Sequence, residues 1–168
     1  GEDSLDISID AGNGGVDVLD ELDLNETTDT LTVDGVSYTF PIGDKTTVFV
    51  GDNMDGSTLY STACVYGGIT NTLDDCGNAS SALAAGFGTT AGASFDIGNG
   101  FTAAIGYEGD GSSTNGLLTK QGADAFGGQL TYTADSYGAS VTYASIESTD
   151  SNGVKYDEDV TYWGLNGY

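Results

Sequence analysis

Residues 89–108 read TTAGASFDIGNGFTAAIGYE, and this stretch decides the fold. From Ala91 to Ile97, apolar or small side chains fall on odd positions and mostly polar ones fall between them. A period of two is typical of a β-strand with unlike faces. Gly98-Asn99-Gly100 then predicts a tight turn, after which the alternation resumes from Phe101 to Glu108. The stretch therefore predicts an antiparallel hairpin with one apolar face.

The same alternation predicts strands on both sides of this hairpin. A second hairpin with a short turn at Asp135-Ser136 follows it, and a last strand runs from Val160 to Tyr168. Earlier strands are predicted over about 5–9, 16–24, 30–40 and 46–51. Asp34-Gly35 is compatible with a hairpin turn, but we prefer one long strand because a split would leave two very short ones. The predicted fold class is all-β, an antiparallel meander of about eight or nine strands.

The connections alternate between short and long. Short turns follow Phe40, Ile97 and Ala134, and long connections follow Gly51, Tyr107 and Glu147. This alternation places the long connections at one end of the sheet, which is typical of transmembrane β-barrels. The predicted strands have about nine or ten residues, the length with which a tilted strand crosses the hydrocarbon. We therefore predict part of a transmembrane β-barrel, since a soluble β-sandwich does not require one-sided loop lengths.

The charge balance is strongly acidic. The chain has 26 acidic residues against three lysines, no arginine and no histidine, and its formal net charge is −23. Binding to nucleic acid or to an anionic membrane surface needs clustered basic side chains, so both are excluded. Without histidine a Ser-His-Asp triad is impossible, and the many carboxylates single out no glycosidase pair. We predict that the protein is not an enzyme and uses no cofactor.

Residues 52–88 are predicted to form a long loop within a single domain that spans residues 1–168. Cys64 and Cys76 lie close together in a polar, glycine-rich part of this loop, which favours a structural disulfide in an oxidising compartment. Two free thiols in a reducing compartment are the alternative. Residues 52–56 are similar to a calcium-binding loop, but the glycine is misplaced by one position, so we favour a solvated turn. No metal site is predicted.

Several segments carry a resemblance to a known family: YTFPIGDKTTVFVG (38–51), ACVYGG (63–68), LDDCG (73–77), ADSYGASVTYA (134–144) and YWGLNGY (162–168). They resemble parts of cyanobacterial outer-membrane porins of the carbohydrate-selective family, which carry an S-layer-homology domain. The likeness runs from about residue 31 to residue 168. The S-layer-homology domain, the coiled segment and most barrel strands of that family have no counterpart here. The chain is therefore expected to be an interior fragment of such a barrel.

The resemblance implies passive diffusion of ions and small hydrophilic solutes across a bacterial outer membrane. It also implies contact with outer-membrane lipid and assembly as a homotrimer. The family name refers to carbohydrate transport, but the sequence identifies no sugar site. The alternative is a secreted acidic β-sandwich or fibre subunit with a structural or adhesive role, in which the same alternating faces would bury a core.

In a barrel, the two faces of each strand meet different solvents. The apolar face is predicted to meet lipid through Phe95, Phe101, Ile105, Tyr107, Leu130, Tyr132, Val141 and Tyr143. The opposite face is predicted to line a water-filled pore through Thr90, Ser94, Asp96, Thr102, Glu108, Gln129, Thr131 and Thr142.

Two groups of side chains on these faces have a more specific interpretation. Asp96 and Glu108 would attract cations if they lay at a constriction, whereas a wet surface without selectivity is the alternative. Phe101 and Phe126 lie near the start of their strands, and Tyr107 and Tyr132 lie six residues further on. Such aromatic residues are predicted to mark the two interfacial girdles of a barrel.

Overall fold

The computed structural model describes residues 2–10, 30–61, 83, 85–110, 116–119, 122–147 and 159–167. These residues contain eight strands: β1 (Ser4–Asp10), β2 (Thr32–Ile42), β3 (Thr46–Asp52), β4 (Thr89–Gly98), β5 (Phe101–Gly109), β6 (Asp124–Thr133), β7 (Gly138–Ile146) and β8 (Val160–Gly167). All eight form one antiparallel sheet in chain order, which confirms the predicted all-β meander. The sheet is open, with β1 and β8 at its edges. Within the described residues no helix is long and apolar enough to span a membrane.

The individual strands follow the predicted alternation closely. β2 is one continuous strand, as preferred over a turn at Asp34-Gly35, and a shift in its register with β1 leaves Asp34 as the extra residue of a bulge. β4 to β7 have the nine or ten residues expected of a spanning strand, whereas β1, β3 and β8 have seven, seven and eight. β1 and β3 nevertheless extend one or two residues beyond the ranges predicted for them, 5–9 and 46–51. The strand considered at 16–24 lies outside the described residues.

Short and long connections lie at opposite ends of the sheet. The short turns between β2 and β3, β4 and β5, and β6 and β7 occupy residues 43–45, 99–100 and 134–137. Glycine is required at the second of these turns, because Gly98, Asn99 and Gly100 all have positive φ angles, of 97°, 54° and 84°. The longer connections, including 53–88 and 110–123, join the opposite strand ends. Because the strands are antiparallel, all the short turns lie on one side.

One face of the sheet carries large apolar side chains on every strand. From β1 to β8, exposed examples on this apolar face are Ile7, Tyr38, Val50, Phe95, Ile105, Leu130, Tyr143 and Trp163. Ile105 is 64% exposed and Trp163 is 74% exposed. A soluble protein would place such side chains in its core. The described residues leave this face uncovered.

The buried strand residues lie on the opposite, polar face of the sheet. Its strand residues include Thr90, Glu108 and Thr142, none of which is more than 1% exposed. Parts of the connection between β3 and β4, residues 53–61, 83 and 85–87, pack against this face. Tyr60 and Leu83 from the connection form a small apolar cluster with alanines of β5, β6 and β7. The core therefore lies between the polar face and the chain's own loop.

Replacing Gly106 by alanine should destabilise the fold. A methyl group at this position of β5 would overlap the carbonyl oxygen of Gly56 in the connection and approach Leu83 Cδ2 to 2.7 Å. We expect Gly106→Ala to lower the free energy of unfolding by roughly 1–3 kcal/mol through overpacking. The measurement is the midpoint of urea unfolding in detergent micelles.

Gly128→Ala is the matched control, because Gly128 lies on the apolar face of the adjacent strand. A methyl group there meets only the carbonyl oxygen of Ala104, at an ordinary 3.6 Å. Its effect should stay within about 0.5 kcal/mol. Equal destabilisation by the two substitutions would contradict the packing of the connection on the polar face.

Candidate functional site

A row of residues without bulky side chains crosses the middle of the polar face. Gly92, Gly106 and Gly127 are successive cross-strand partners in β4, β5 and β6, and Ala144 continues the row in β7. Glycine inside a strand allows another backbone to approach closely. The ring of Phe49 from β3 covers Gly92, and residues 56–60 of the connection lie over Gly106 and Gly127. The row therefore forms a shallow trough that receives the connection.

Glu108 holds the connection against the sheet by two hydrogen bonds. Its carboxylate oxygens accept the backbone N–H groups of Gly56 and Ala85, each at 2.8 Å. The Glu108 side chain is fully buried, so these donors replace the water that a carboxylate needs. Hydrogen bonds to charged groups contribute about 1.5–3 kcal/mol each. Glu108 therefore joins two distant parts of the connection, 53–61 and 85–87, at one point.

Gln129 makes a second attachment, two strand residues further along β6 from Gly127. Its Oε1 accepts the backbone N–H of Ser61 at 2.7 Å, and its Nε2 donates to the Ser61 carbonyl oxygen at 3.0 Å. Thr131 donates to Oε1 at 3.0 Å, and Nε2 donates to Thr142 Oγ1 at 3.1 Å. The side-chain amide of Gln129 thus makes the same two hydrogen bonds to the Ser61 backbone that a neighbouring β-strand would make. The neighbouring threonines fix the orientation of that amide.

The side chains of the connection complete the packing. Tyr60 is 7% exposed and Leu83 is 0% exposed. Burial raises the pKa of the Tyr60 hydroxyl above its ordinary value, and partial burial raises the pKa of Asp55. Tyr60 therefore stays neutral at physiological pH. Ser57 donates to the Leu83 carbonyl oxygen at 3.3 Å, which links the two ends of the connection. The turn predicted at 52–56 is solvated only in part, because Gly56 is buried.

The residues predicted to line a pore separate into two groups. Five are buried on the polar face: Thr90, Glu108, Gln129, Thr131 and Thr142. The other three, Ser94, Asp96 and Thr102, line an open depression of about 450 Å³ near the short turns, together with Lys45 and Asp44 among others. Ser94 shares its cross-strand row with Gln129 and Thr142, and Asp96 and Thr102 share theirs with Thr131. The polar face therefore has an open half at the short-turn ends of β3 to β5, and a covered half that runs from the long-connection ends of β4 and β5 across β6 and β7.

The residues predicted to face lipid all lie on the exposed apolar face. Phe95, Phe101, Ile105, Leu130 and Tyr143 are exposed, and Tyr107, Tyr132 and Val141 are partly exposed. Cross-strand pairing brings Phe101 and Tyr132 together at the short-turn end, with ring centroids 4.8 Å apart. Tyr107 and Phe126 meet at the other end, 5.1 Å apart. Each end thus has one phenylalanine and one tyrosine, separated along the strand by about 20 Å.

A polar row bounds the apolar face at the end of the long connections. Asp52, Thr89, Gly109 and Asp124 are successive cross-strand partners from β3 to β6. Tyr107, just inside this boundary, donates its hydroxyl hydrogen bond to Asp124 Oδ1 at 2.5 Å. An amphipathic tyrosine anchored to a carboxylate is the arrangement found where an apolar environment gives way to water.

Sequence reasoning assigned Glu108 and Gln129 to the wet face but missed their contacts with the connection. The signal for these contacts is the glycine row: hairpin register alone pairs Gly92 with Gly106. The alternation also failed to indicate that Phe49 packs in the core. Phe49 is a large apolar side chain on the otherwise polar face, and it is 0% exposed. The disulfide predicted between Cys64 and Cys76 lies outside the described residues. Among the residues that are described, no cluster of three or more potential metal ligands occurs.

Comparison of the chain with protein-family models, with curated proteins and with solved structures finds no match in any of the three.

The substitution Glu108→Gln should weaken the attachment of the connection to the sheet while strand β5 stays formed. An amide offers one oxygen where the carboxylate offers two, so one of the N–H groups of Gly56 and Ala85 would face an NH₂ group. We expect a loss of roughly 1–3 kcal/mol in unfolding free energy and faster amide hydrogen exchange at these two residues. Urea unfolding and exchange measured by NMR in micelles provide the two readouts.

Asp96→Asn is the matched control for this experiment. Asp96 is an exposed carboxylate on the same face, and its Oδ1 accepts the N–H of Gly98, a bond that an asparagine oxygen retains. It should leave exchange at Gly56 and Ala85 unchanged. Unaltered exchange in Glu108→Gln as well would show that Glu108 does not hold the connection.

Proposed function

We propose that this chain forms part of the wall of an outer-membrane pore for passive diffusion of ions and small hydrophilic solutes. The observation that carries the proposal is that the apolar face of the sheet is exposed, whereas the chain itself covers half of the polar face. Exposing a large apolar surface to water is unfavourable, whereas exposing it to the hydrocarbon of a bilayer is favourable. The resemblance to cyanobacterial porins in segments such as 38–51 and 134–144 points to the same function.

The apolar face supports contact with lipid. The apolar face consists of successive cross-strand rows. The row nearest the long connections contains Val50, Ala91, Tyr107 and Phe126, and the row nearest the short turns contains Phe101 and Tyr132. The first and last rows are about 20 Å apart along the strands, and their side chains extend the band further. Transmembrane barrels have an apolar band of about 25 Å with aromatic residues at both margins. From β3 to β8 no strand places a charged side chain between the two rows on this face. At the β1 edge, Asp3 lies between these rows and accepts a hydrogen bond from the Tyr38 hydroxyl.

The polar face supports passage of water-soluble solutes. Its open half carries hydroxyl groups and Asp96, and Lys45 and Asp44 also line the depression there. The connection 53–61, held by Glu108 and Gln129, covers the other half and would narrow the lumen of a barrel on this side. A chain with net charge −23 produces a negative potential along such a passage. We therefore propose that the pore admits cations in preference to anions.

A secreted β-sandwich or fibre subunit is the competing function. It would need a second layer to cover the exposed apolar face, and the described residues offer none. The buried side of this sheet is instead built from Ser, Thr, Gln and Glu, with only a small cluster around Tyr60 and Leu83. Sandwich cores alternate apolar residues on both inner faces. This difference favours the pore.

Conductance across a planar lipid bilayer tests the proposal. The chain, refolded in detergent and added to the bilayer, should produce ohmic current steps absent from lipid alone. In a KCl gradient, the reversal potential should indicate preference for K⁺ over Cl⁻. Asp96→Asn, in the open depression, should reduce this preference, and Asp135→Asn, in the turn 134–137, should leave it unchanged.

Incorporation is checked separately by flotation of the protein with liposomes. Protein that floats with lipid but conducts no current would overturn the pore while leaving a membrane location intact. Protein that stays in the buffer fraction as a folded species would overturn both.

A further inference from the structure

A turn at residues 116–119 presents two leucines at the end of the sheet where the long connections lie. Leu117 is 40% exposed and Leu118 is 69% exposed. Leu118 also has a positive φ angle, of 57°. Among the described residues, the other two non-glycine positions with positive φ are Asn53 and Asn99, and asparagine is a residue type that tolerates this conformation. At position 118, backbone conformation and contact with water would both disfavour leucine.

This turn lies on the apolar side of the sheet. Gly109 follows Tyr107 by two residues in β5, so both positions face the same side. A methyl group at Gly109 would overlap the Tyr107 hydroxyl and would approach Leu117 Cδ2 to 2.7 Å. Leu117 therefore occupies the space over Gly109, directly beyond Tyr107. At the rise of a β-strand, two residues extend the apolar band by about 7 Å at this point.

The turn also contacts the carboxylate of Asp124. This residue belongs to the polar row that bounds the apolar face, yet it is only 5% exposed. Its Oδ1 accepts hydrogen bonds from the Tyr107 hydroxyl at 2.5 Å and from the Leu118 N–H at 3.3 Å. A carboxylate beside hydrocarbon is unfavourable unless donors surround it, whereas a carboxylate in water needs no such donors. The turn supplies one of these donors.

Hydrogen bonds hold the turn in this shape. Thr119 donates its hydroxyl hydrogen to the Gly116 carbonyl oxygen at 3.4 Å, and its Oγ1 accepts the Gly122 N–H at 3.2 Å. The N–H of Asp110 donates to the Ala123 carbonyl oxygen at 2.9 Å and joins the two ends of the connection between β5 and β6. The exposed leucines are therefore presented by a defined turn.

We propose that the turn 116–119 lies in the bilayer hydrocarbon near the lipid headgroups, where Leu117 and Leu118 contact acyl chains. The proposal rests on the membrane location that underlies the proposed pore, and it adds to the lipid-facing surface a segment outside the strands. The apolar margin then lies further outward at β5 and β6 than at β3 and β4, where Asp52 and Thr89 end it. Contact with hydrocarbon offsets the strained backbone at position 118.

Lipid fits this turn better than a protein partner does. Two leucine side chains offer far less area than the roughly 800 Å² that each partner contributes to a stable protein interface. The net charge of −23 also opposes the approach of a second copy of the chain. Transfer into hydrocarbon requires no minimum area, because its free energy scales with the apolar surface removed from water. The turn moreover continues the apolar face directly beyond Tyr107.

A tryptophan placed in the turn tests this location. The chain carrying Leu118→Trp and Trp163→Phe is reconstituted into phosphatidylcholine liposomes. Lipid brominated close to the headgroup should quench the fluorescence strongly, and lipid brominated close to the end of the acyl chain should quench it less. Iodide in the buffer should quench it little.

Leu31→Trp with Trp163→Phe is the matched control. Leu31 is also 69% exposed and precedes β2 at the same end of the sheet. It precedes Tyr38 by seven residues, and Tyr38 lies in the same cross-strand row as Tyr107. Leu31 therefore lies about 20 Å beyond that row. Iodide should quench the control, and brominated lipid should not.

Leu118→Asn distinguishes lipid from water by the sign of its effect. If the turn lay in water, asparagine would relieve the backbone strain and remove only an exposed leucine, so the urea midpoint of unfolding would rise. In hydrocarbon, the loss of apolar contact and the burial of an amide outweigh this relief. We therefore expect a lower midpoint in liposomes, whereas Leu31→Asn should leave the midpoint unchanged.

Three results would overturn the proposal: quenching at position 118 by iodide and not by brominated lipid, equal quenching by brominated lipid at positions 118 and 31, or a raised midpoint for Leu118→Asn. Any of these in a protein that conducts current would leave the pore function in place. Lipid quenching confined to position 118, in a protein that conducts no current, would support the lipid contact of the turn and overturn the pore alone.

Discussion

Large apolar side chains cover one face of all eight strands, while the connection between β3 and β4 buries half of the other face. The rest of the structure depends on this division. Phe95, Ile105 and Trp163 are exposed, yet Glu108 and Thr142 are fully buried. Burial of a carboxylate is unfavourable unless donors surround it, and Gly56 and Ala85 provide them. Hydrogen bonds and close contacts at glycines therefore hold the connection on the polar face. The apolar face is suited to contact with lipid.

The glycine row explains how a polar connection packs on a polar sheet. Gly106 and Gly127 allow backbone and the Tyr60 ring to approach the strands, where any side chain would hold them away. At this short distance Glu108 and Gln129 reach backbone groups directly, without intervening water. The connection thereby packs directly on this part of the sheet. The depression beside Asp96, which the described part of the connection does not line, is open at the short-turn end.

The strands could be predicted because their signal is local. Alternation in residues 89–108 is read over a few residues at a time, and the tight turn fixes the register of the hairpin. The role of Glu108 could not be predicted in the same way, since Gly56 precedes it by 52 positions and offers only its backbone N–H to the carboxylate. The ends of β1 and β3 were misplaced by one residue, because strand ends depend on the pairing of neighbours. The alternating pattern predicted which side chains lie on the apolar face and which on the polar face. It could not predict that the connection covers part of the polar face, because that contact joins residues far apart in the sequence.

The fluorescence of Trp163, the single tryptophan of the chain, tests the orientation of the sheet most directly. In liposomes, brominated lipid should quench Trp163, and iodide in the buffer should not, because this side chain lies on the apolar face of β8. In the double variant Tyr162→Trp/Trp163→Phe the tryptophan lies one residue earlier on the opposite face, and brominated lipid should quench it much less. Equal quenching by brominated lipid in the two proteins, or quenching of Trp163 by iodide alone, would contradict the account.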